Sequence, residues 1–244
     1  MHVETILKQL RAMRLSVMAD SLEMRLANNE QSELSPEEFF ALLVEDEYSA
    51  RQERKHNRML AQAGFKPEMA CMESIHYKPS RGFQKRDMTP FTSDTWIKQA
   101  HNVLITGPTG SGKTFISEAI GFQAIKLGYS AKKIRYKMLF EEINDARATG
   151  MFLKYLKKLQ QKRVLIIDDF LMCPVSREDV SNLVEIIEER SQLGPVIITT
   201  QYPSSKWHKL LPDPTIADAI CDRLIHTSIK FDLSGDDGSM RKKS

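Results

Sequence analysis

A short apolar run, Val103-Leu-Ile-Thr106, feeds directly into Gly107-Pro-Thr-Gly110-Ser-Gly112-Lys113-Thr114, after which Glu118, Ala119 and Ile120 continue as a predicted helix. This succession constrains the fold more than any other feature, because strand, glycine-rich loop and helix together form the opening unit of an α/β protein with a parallel sheet. The pattern G-x-x-x-x-G-K-[ST] is a P-loop. Its glycines let the backbone N–H groups of residues 107–114, Pro108 excepted, crowd around a chain of phosphates, with Thr109 and Ser111 completing the cradle. The helix that follows points its positive end at the same place. Lys113 is the candidate for neutralising the outer phosphates, and the Thr114 hydroxyl is a candidate Mg²⁺ ligand.

A second site is needed to complete the shell of such an ion, and Val164-Leu-Ile-Ile167-Asp168-Asp169 supplies one. Four apolar residues ending in two carboxylates read as a Walker B strand, buried on both faces and delivering Asp168 to the carboxyl edge of the sheet. Asp168 is the candidate metal ligand. Asp169 resembles the carboxylate that hydrolytic P-loop proteins usually carry at this position, which implies a role in polarising an attacking water. Taken alone, the same residues also read as a core strand ending in a solvated acidic turn.

The 244 residues suffice for one α/β domain with a small appendage, and 41% hydrophobic with 27% charged residues is ordinary for a water-soluble chain. Cys71, Cys173 and Cys221 are widely spaced and odd in number, which suits neither a disulfide framework nor a zinc pattern. They are expected to be buried thiols in a reducing cytosol. No apolar run approaches membrane-spanning length, and no export signal is expected at the amino terminus, so the predicted location is cytoplasmic.

Residues 3–28 place Ile6, Leu10, Met13 and Val17, then Met18, Leu22 and Leu26, at helical spacing, as one bent helix or two short ones. Ser35-Pro-Glu-Glu38 is a capping box with proline at the first helical position, and its helix can run to Gly64. Residues 1–63 are therefore expected to form an N-terminal helical domain. Residues 64–95, proline-rich and without periodicity, read as a linker that wraps the next domain, and residues 96–244 as the α/β domain. Within that domain the expected elements are strands at 102–106, 132–137, 164–168, 196–200 and 226–232. Helical segments at 113–127, 138–161, 177–192 and 215–224 alternate with them.

The formal net charge of +3 conceals a segregation, because residues 132–163 carry 10 basic side chains against 3 acidic ones. Lys132, Lys133, Arg135 and Lys137 surround the second strand, and Lys154, Lys157 and Lys158 share a face of the helical region that follows. A basic stripe of this kind suits a phosphate backbone, whose contact fixes register without reading sequence. On the N-terminal long helix, Arg51, Arg54, Lys55 and Arg58 recur at i, i+3, i+4 and i+7, as a nucleic-acid or partner contact or as a solvated helix face.

The strand Val196-Ile-Ile-Thr-Thr200-Gln201 ends in polar side chains, and beyond it come Asp213-Pro-Thr-Ile-Ala-Asp-Ala-Ile220-Cys-Asp-Arg223-Leu-Ile-His226 and Ser239-Met-Arg241-Lys-Lys243. Together with the P-loop, the paired aspartates and the N-terminal helices, these stretches closely resemble the IstB-like ATP-binding proteins. Those are AAA+ ATPase helpers of insertion-sequence transposition related to DnaC-type helicase loaders. The resemblance implies an AAA+ fold, ATP and Mg²⁺ as ligands, and a homo-oligomer with ATP at subunit interfaces. It also implies assembly on duplex DNA and recruitment of a transposase for target selection. Gln201, with Thr200 as second choice, then matches sensor 1 near the γ-phosphate. Arg223 matches an arginine finger reaching a neighbouring subunit's nucleotide, and Arg241 matches sensor 2. The helices before Walker B correspond to a DNA-facing insertion, and the N-terminal helices to an oligomerisation and DNA-clamping appendage.

Two departures from the AAA+ pattern shape the expectation. Asp169 is one methylene shorter than the usual glutamate, which predicts slow hydrolysis, and the chain ends close to Arg241, which predicts a minimal or absent helical lid. A helicase loader with the same ATPase core and a non-hydrolysing, ATP-dependent assembly switch are the alternative readings.

Overall fold

The computed structural model describes residues 2–66, 70–77, 82–226 and 228–234 and divides into two compact units, Met1–Arg58 and Met59–Ser244. In the first unit, α1 (Val3–Ala12) and α2 (Ser16–Ala27) are the two-helix form of the expected amphipathic stretch. The chain breaks between them at Arg14, whose φ of 60° cannot continue a helix. Leu7 and Leu10 pack on Ala19, with Leu15, Met18 and Leu22 around them.

The long helix α3 (Pro36–Ala63) opens on the predicted capping box: the Ser35 N–H donates to the Glu38 carboxylate at 2.9 Å, and the Glu38 N–H donates to Ser35 Oγ at 3.2 Å. Further along the helix, the buried Glu47 accepts the N–H groups of Val17 and Met18 at 2.9 and 3.0 Å, which places a carboxylate at the positive end of α2. That carboxylate recruits two members of the basic stripe. Arg51 donates to it at 2.7 Å and to the Arg14 carbonyl at 2.8 Å, and Arg54 lies 3.4 Å away. Arg51 and Arg54 thus serve first as counter-ions, because a buried carboxylate without a partner is expensive. Lys55 and Arg58 remain exposed on the helix surface.

In the second unit the chain alternates as anticipated: α4 (Thr95–Lys98), β1 (Val103–Thr106), α5 (Lys113–Lys126), β2 (Ala131–Arg135), α6 (Tyr136–Ala148), α7 (Phe152–Gln160), β3 (Val164–Asp168), α8 (Arg177–Arg190), β4 (Val196–Thr200), α9 (Trp207–Leu210), α10 (Pro214–Ile225) and β5 (Ile229–Asp232). The second strand stops at Arg135 rather than residue 137, since Tyr136 already opens α6 and is fully buried there. The last strand starts at Ile229 rather than residue 226, because α10 runs to Ile225.

All strands are parallel in the order β2-β3-β4-β1-β5, so β4 separates the P-loop strand from the Walker B strand. Strand alternation divides the core between the two faces of this sheet. Leu104, Leu165, Ile167 and Ile198 face one side, where helices α6 to α10 supply Leu139, Leu183, Trp207 and Ile220. Val103, Ile105, Ile166 and Ile197 face the other, where α5 supplies Ile116 and Ile120.

That second face corrects the domain boundaries. Helix α5 cannot cover it alone, and Ile75, Phe83, Met88 and Phe91 from the segment read as a linker complete it. Phe91 packs edge-on against Trp96 at 5.2 Å between ring centroids, and Phe83 against Phe231 at 5.2 Å. The segment is therefore part of the sheet's cover. The boundary falls at Arg58 rather than residue 63, because Met59, Leu60 and Ala63 at the end of α3 join the same cluster.

Candidate nucleotide site

β1 delivers the loop to the carboxyl edge of the sheet. Thr106 Oγ1 donates to the Asp232 carboxylate and anchors the edge to β5. At Gly107, φ is 148°, and a Cβ there would lie 2.6 Å from the Leu233 carbonyl, so only glycine lets the chain turn in this space. Gly112, at φ 91°, is the N-cap of α5 and turns the loop into the helix. The Lys113 side chain is largely buried, and its Nζ donates to the Gly107 and Pro108 carbonyls at 2.8 Å each. Its ammonium thereby sits over the loop, where anionic phosphate oxygens are stronger acceptors than neutral carbonyls.

The two halves of the expected metal site meet although 54 residues separate them in sequence: Thr114 Oγ1 lies 3.0 and 3.2 Å from the Asp168 carboxylate oxygens. A hydroxyl beside a carboxylate is the hard-oxygen pair that Mg²⁺ accepts when phosphates supply further ligands. Among the described residues no group of three or more His, Cys, Asp or Glu forms a metal cage. Asp168 also receives the Thr199 hydroxyl, and the same Thr199 Oγ1 accepts the Asp169 N–H at 3.1 Å. Thr199 was not singled out from the sequence; its signal was a hydroxyl interrupting an apolar strand.

Asp169 turns the chain out of β3 with φ 58°, a left-handed conformation that costs energy in a residue with a Cβ. Phe170, next in line, is fully buried between Tyr136 and Trp207, with centroid distances of 4.9 and 4.8 Å. The aromatic anchor fixes the turn and leaves the Asp169 side chain exposed beside the loop. Partial desolvation, and then the charge of Asp168, hold the Asp169 carboxyl above the ordinary carboxylate range. A raised pKa makes it a better proton acceptor than a solvated aspartate while leaving it ionisable.

Of the other expected site residues, Gln201 follows Thr200, which pairs in register with Thr106, so the glutamine stands beside the start of the loop. Thr200 itself is fully buried and donates to the Phe170 carbonyl, so it steadies the turn instead of facing a ligand. Arg223 lies near the end of α10, 2.6 Å from Glu188, and its carbonyl accepts from Asn102, the residue before β1. Arg223 is thereby tied to the opposite edge of the sheet from the P-loop. Arg241 lies outside the described residues.

The expected DNA contacts separate into groups. Lys154, Lys157 and Lys158 on α7 are exposed, as is Arg135. Lys132 is half-buried. Lys133 contradicts its assignment to a DNA surface: its side chain is 9% exposed, paired with the buried Glu118 of α5, with Nζ 3.4 Å from Asp168 Oδ2. Strand alternation turns it toward α5, where two buried carboxylates demand a cation. Cys71, Cys173 and Cys221 are free thiols, half-buried rather than fully buried as expected.

Sheet order, P-loop and paired aspartates define a P-loop ATPase of the AAA+ type. The chain belongs to the family of IstB-like ATP binding proteins, which matches residues 8–244. It is 34% identical over 240 residues to the insertion sequence ATP-binding protein y4pL of Sinorhizobium fredii, covering 98% of each chain. It is 35% identical over 205 residues to the ATP-binding protein of insertion sequence IS1162 of Pseudomonas fluorescens, covering 84% of this chain and 89% of that one. Among solved structures, the DnaC helicase loader is similar at a TM-score of 0.55 and 20% identity, over 67% of this chain and 96% of that one. AMPPCP-bound DnaA from Aquifex aeolicus is similar at 0.57 and 14%, over 70% of this chain and about half, 51%, of that one. These structural likenesses speak to the fold alone. Among the described residues no helix is long and apolar enough to cross a membrane.

Proposed function

We propose that this chain is an ATP-dependent, DNA-binding assembly factor for insertion-sequence transposition, acting in the cytoplasm as an oligomer that recruits a transposase to duplex DNA. The observation that carries the ATPase core is the junction of Thr114, Asp168 and Thr199 beneath Lys113. The relatives' association with insertion sequences supports the transposition setting and favours it over helicase loading.

In this reading the amides of residues 107–114 and the N-terminus of α5 hold the phosphate chain, and Lys113 exchanges its loop carbonyls for the outer phosphates. Bound Mg²⁺ supplies further charge neutralisation on the phosphate oxygens. Thr114 and Asp168 are its protein ligands, and Thr199 keeps the Asp168 carboxylate oriented. Asp169 accepts a hydrogen bond from the attacking water and polarises it, and Gln201 senses the terminal phosphate. Arg223 acts on the nucleotide of a neighbouring subunit. Its position supports this role, since the four residues of β1 at about 3.3 Å each separate Asn102 from the loop of its own subunit. The exposed lysines of α7 meet the DNA backbone. Arg241 is assigned to sensor 2 on the resemblance alone.

Lys113→Ala tests the core of the reading by nucleotide affinity. The expected result is loss of ATP binding with an unchanged melting temperature; unchanged affinity and turnover would remove the P-loop assignment.

A further inference from the structure

Lys133 is a buried cation in the wall of the proposed metal site, and the mechanism above does not use it. Its ammonium is paired with Glu118 and stands 3.4 Å from Asp168 Oδ2, while Asp168 Oδ1 takes the Thr199 hydroxyl and the Thr114 hydroxyl lies 3.0 and 3.2 Å from Oδ1 and Oδ2. The side chains of Lys133, Glu118 and Asp168 are 9%, 3% and 4% exposed, so water screens their charges poorly. Hydroxyls thus meet both oxygens of the candidate ligand, and a fixed positive charge stands beside Oδ2. A divalent ion arriving at Asp168 meets that charge at short range, and Glu118, paired with it, offsets it in part.

We infer that Lys133, held by Glu118, is a positioning residue that orients the Asp168 carboxylate and weakens its hold on a divalent cation, so that the ion binds only together with nucleotide phosphates. The inference rests on the reading of Thr114 and Asp168 as the metal site. Its consequence is a coupling: the nucleotide completes the ion's shell, and the ion tightens the nucleotide by the same factor. Glu118 and Lys133 set the size of that factor.

The test measures equilibrium binding of a fluorescent ATP analogue to the full chain in saturating MgCl2 and in EDTA, and takes the ratio of the two affinities. Glu118→Gln leaves the Lys133 charge without its offset and is expected to lower the ratio at least about threefold. Adding Lys133→Met to Glu118→Gln removes the repelling charge and leaves Asp168 with the Thr114 and Thr199 hydroxyls as partners, and is expected to raise the ratio above the wild-type value. If Glu118→Gln alone fails to fold, the double variant decides: a ratio above wild type supports the inference, and one at or below wild type overturns it. Equal ratios in all three proteins overturn the role of Lys133 and leave the metal site standing. A wild-type ratio of one overturns the metal site as well.

Discussion

Asp169 carries the sharpest conflict between conformation and chemistry. Its left-handed backbone is held by the burial of Phe170 and by the Thr199 hydroxyl, and the result is a carboxylate aimed away from the core with a raised pKa. Asp169→Asn keeps the turn, because asparagine tolerates positive φ, and removes the charge. Nucleotide affinity is expected to stay within about twofold while turnover falls by about 10² or more, measured by phosphate release. The raised pKa has a further consequence for wild type. Asp169 works only when ionised, so turnover declines as pH falls through its folded-state pKa. The acid limb of the rate profile is therefore expected above the ordinary aspartate value of about 3.9, and is expected to vanish from the residual activity of the asparagine variant. An acid limb unchanged by the substitution would assign it to another group.

Among the elements, α7 is where charge and packing separate most cleanly. Leu156 and Leu159 are buried against the sheet, while Lys154, Lys157 and Lys158 face solvent. The inner end of this helix is clamped from α8: the buried Arg190 donates to the Leu159, Lys162 and Arg163 carbonyls at 2.9, 2.9 and 3.0 Å. Replacing the three lysines by glutamine therefore leaves the fold intact and isolates their charge. Binding to unrelated duplexes is expected to weaken uniformly, and the slope of log affinity against log salt to fall by about 0.9 for each lysine that touches a phosphate. An unaltered slope would make the stripe a solvated face and move attention to Lys55 and Arg58. The strands, the P-loop helix and the capping box of α3 were legible in the sequence because each rests on a local pattern of apolar period, glycine or cap. That residues 64–95 wrap the next domain was read as well, but not which side chains enter the core, since an irregular segment that covers a sheet has no period to betray them. Lys133 was misassigned for a related reason. A lysine on an edge strand looks solvated until the helix facing it is known to carry Glu118.

At the scale of the whole molecule, the sheet order places the nucleotide residues on one edge and ties Arg223 to the other. Asn102 fixes that far edge, accepting the Val196 N–H at the start of β4 at 2.8 Å and donating to the Arg223 carbonyl at 2.8 Å. Arg223 pairs with Glu188 within its own chain, a contact at the surface that an incoming phosphate charge can displace. If ATP turnover takes place between subunits, activity depends on assembly, and damage to the loop and damage to the finger can complement each other. The measurement that tests this most directly mixes Arg223→Ala with Lys113→Ala subunits in the presence of duplex DNA and follows phosphate release. Each parent alone is expected to be nearly inactive, the first still binding ATP and the second not. Mixtures are expected to regain activity at interfaces where an intact loop meets an intact arginine. Mixtures that never exceed the sum of the parents, although mixed oligomers are shown to form, would contradict an ATP site completed by the neighbouring subunit.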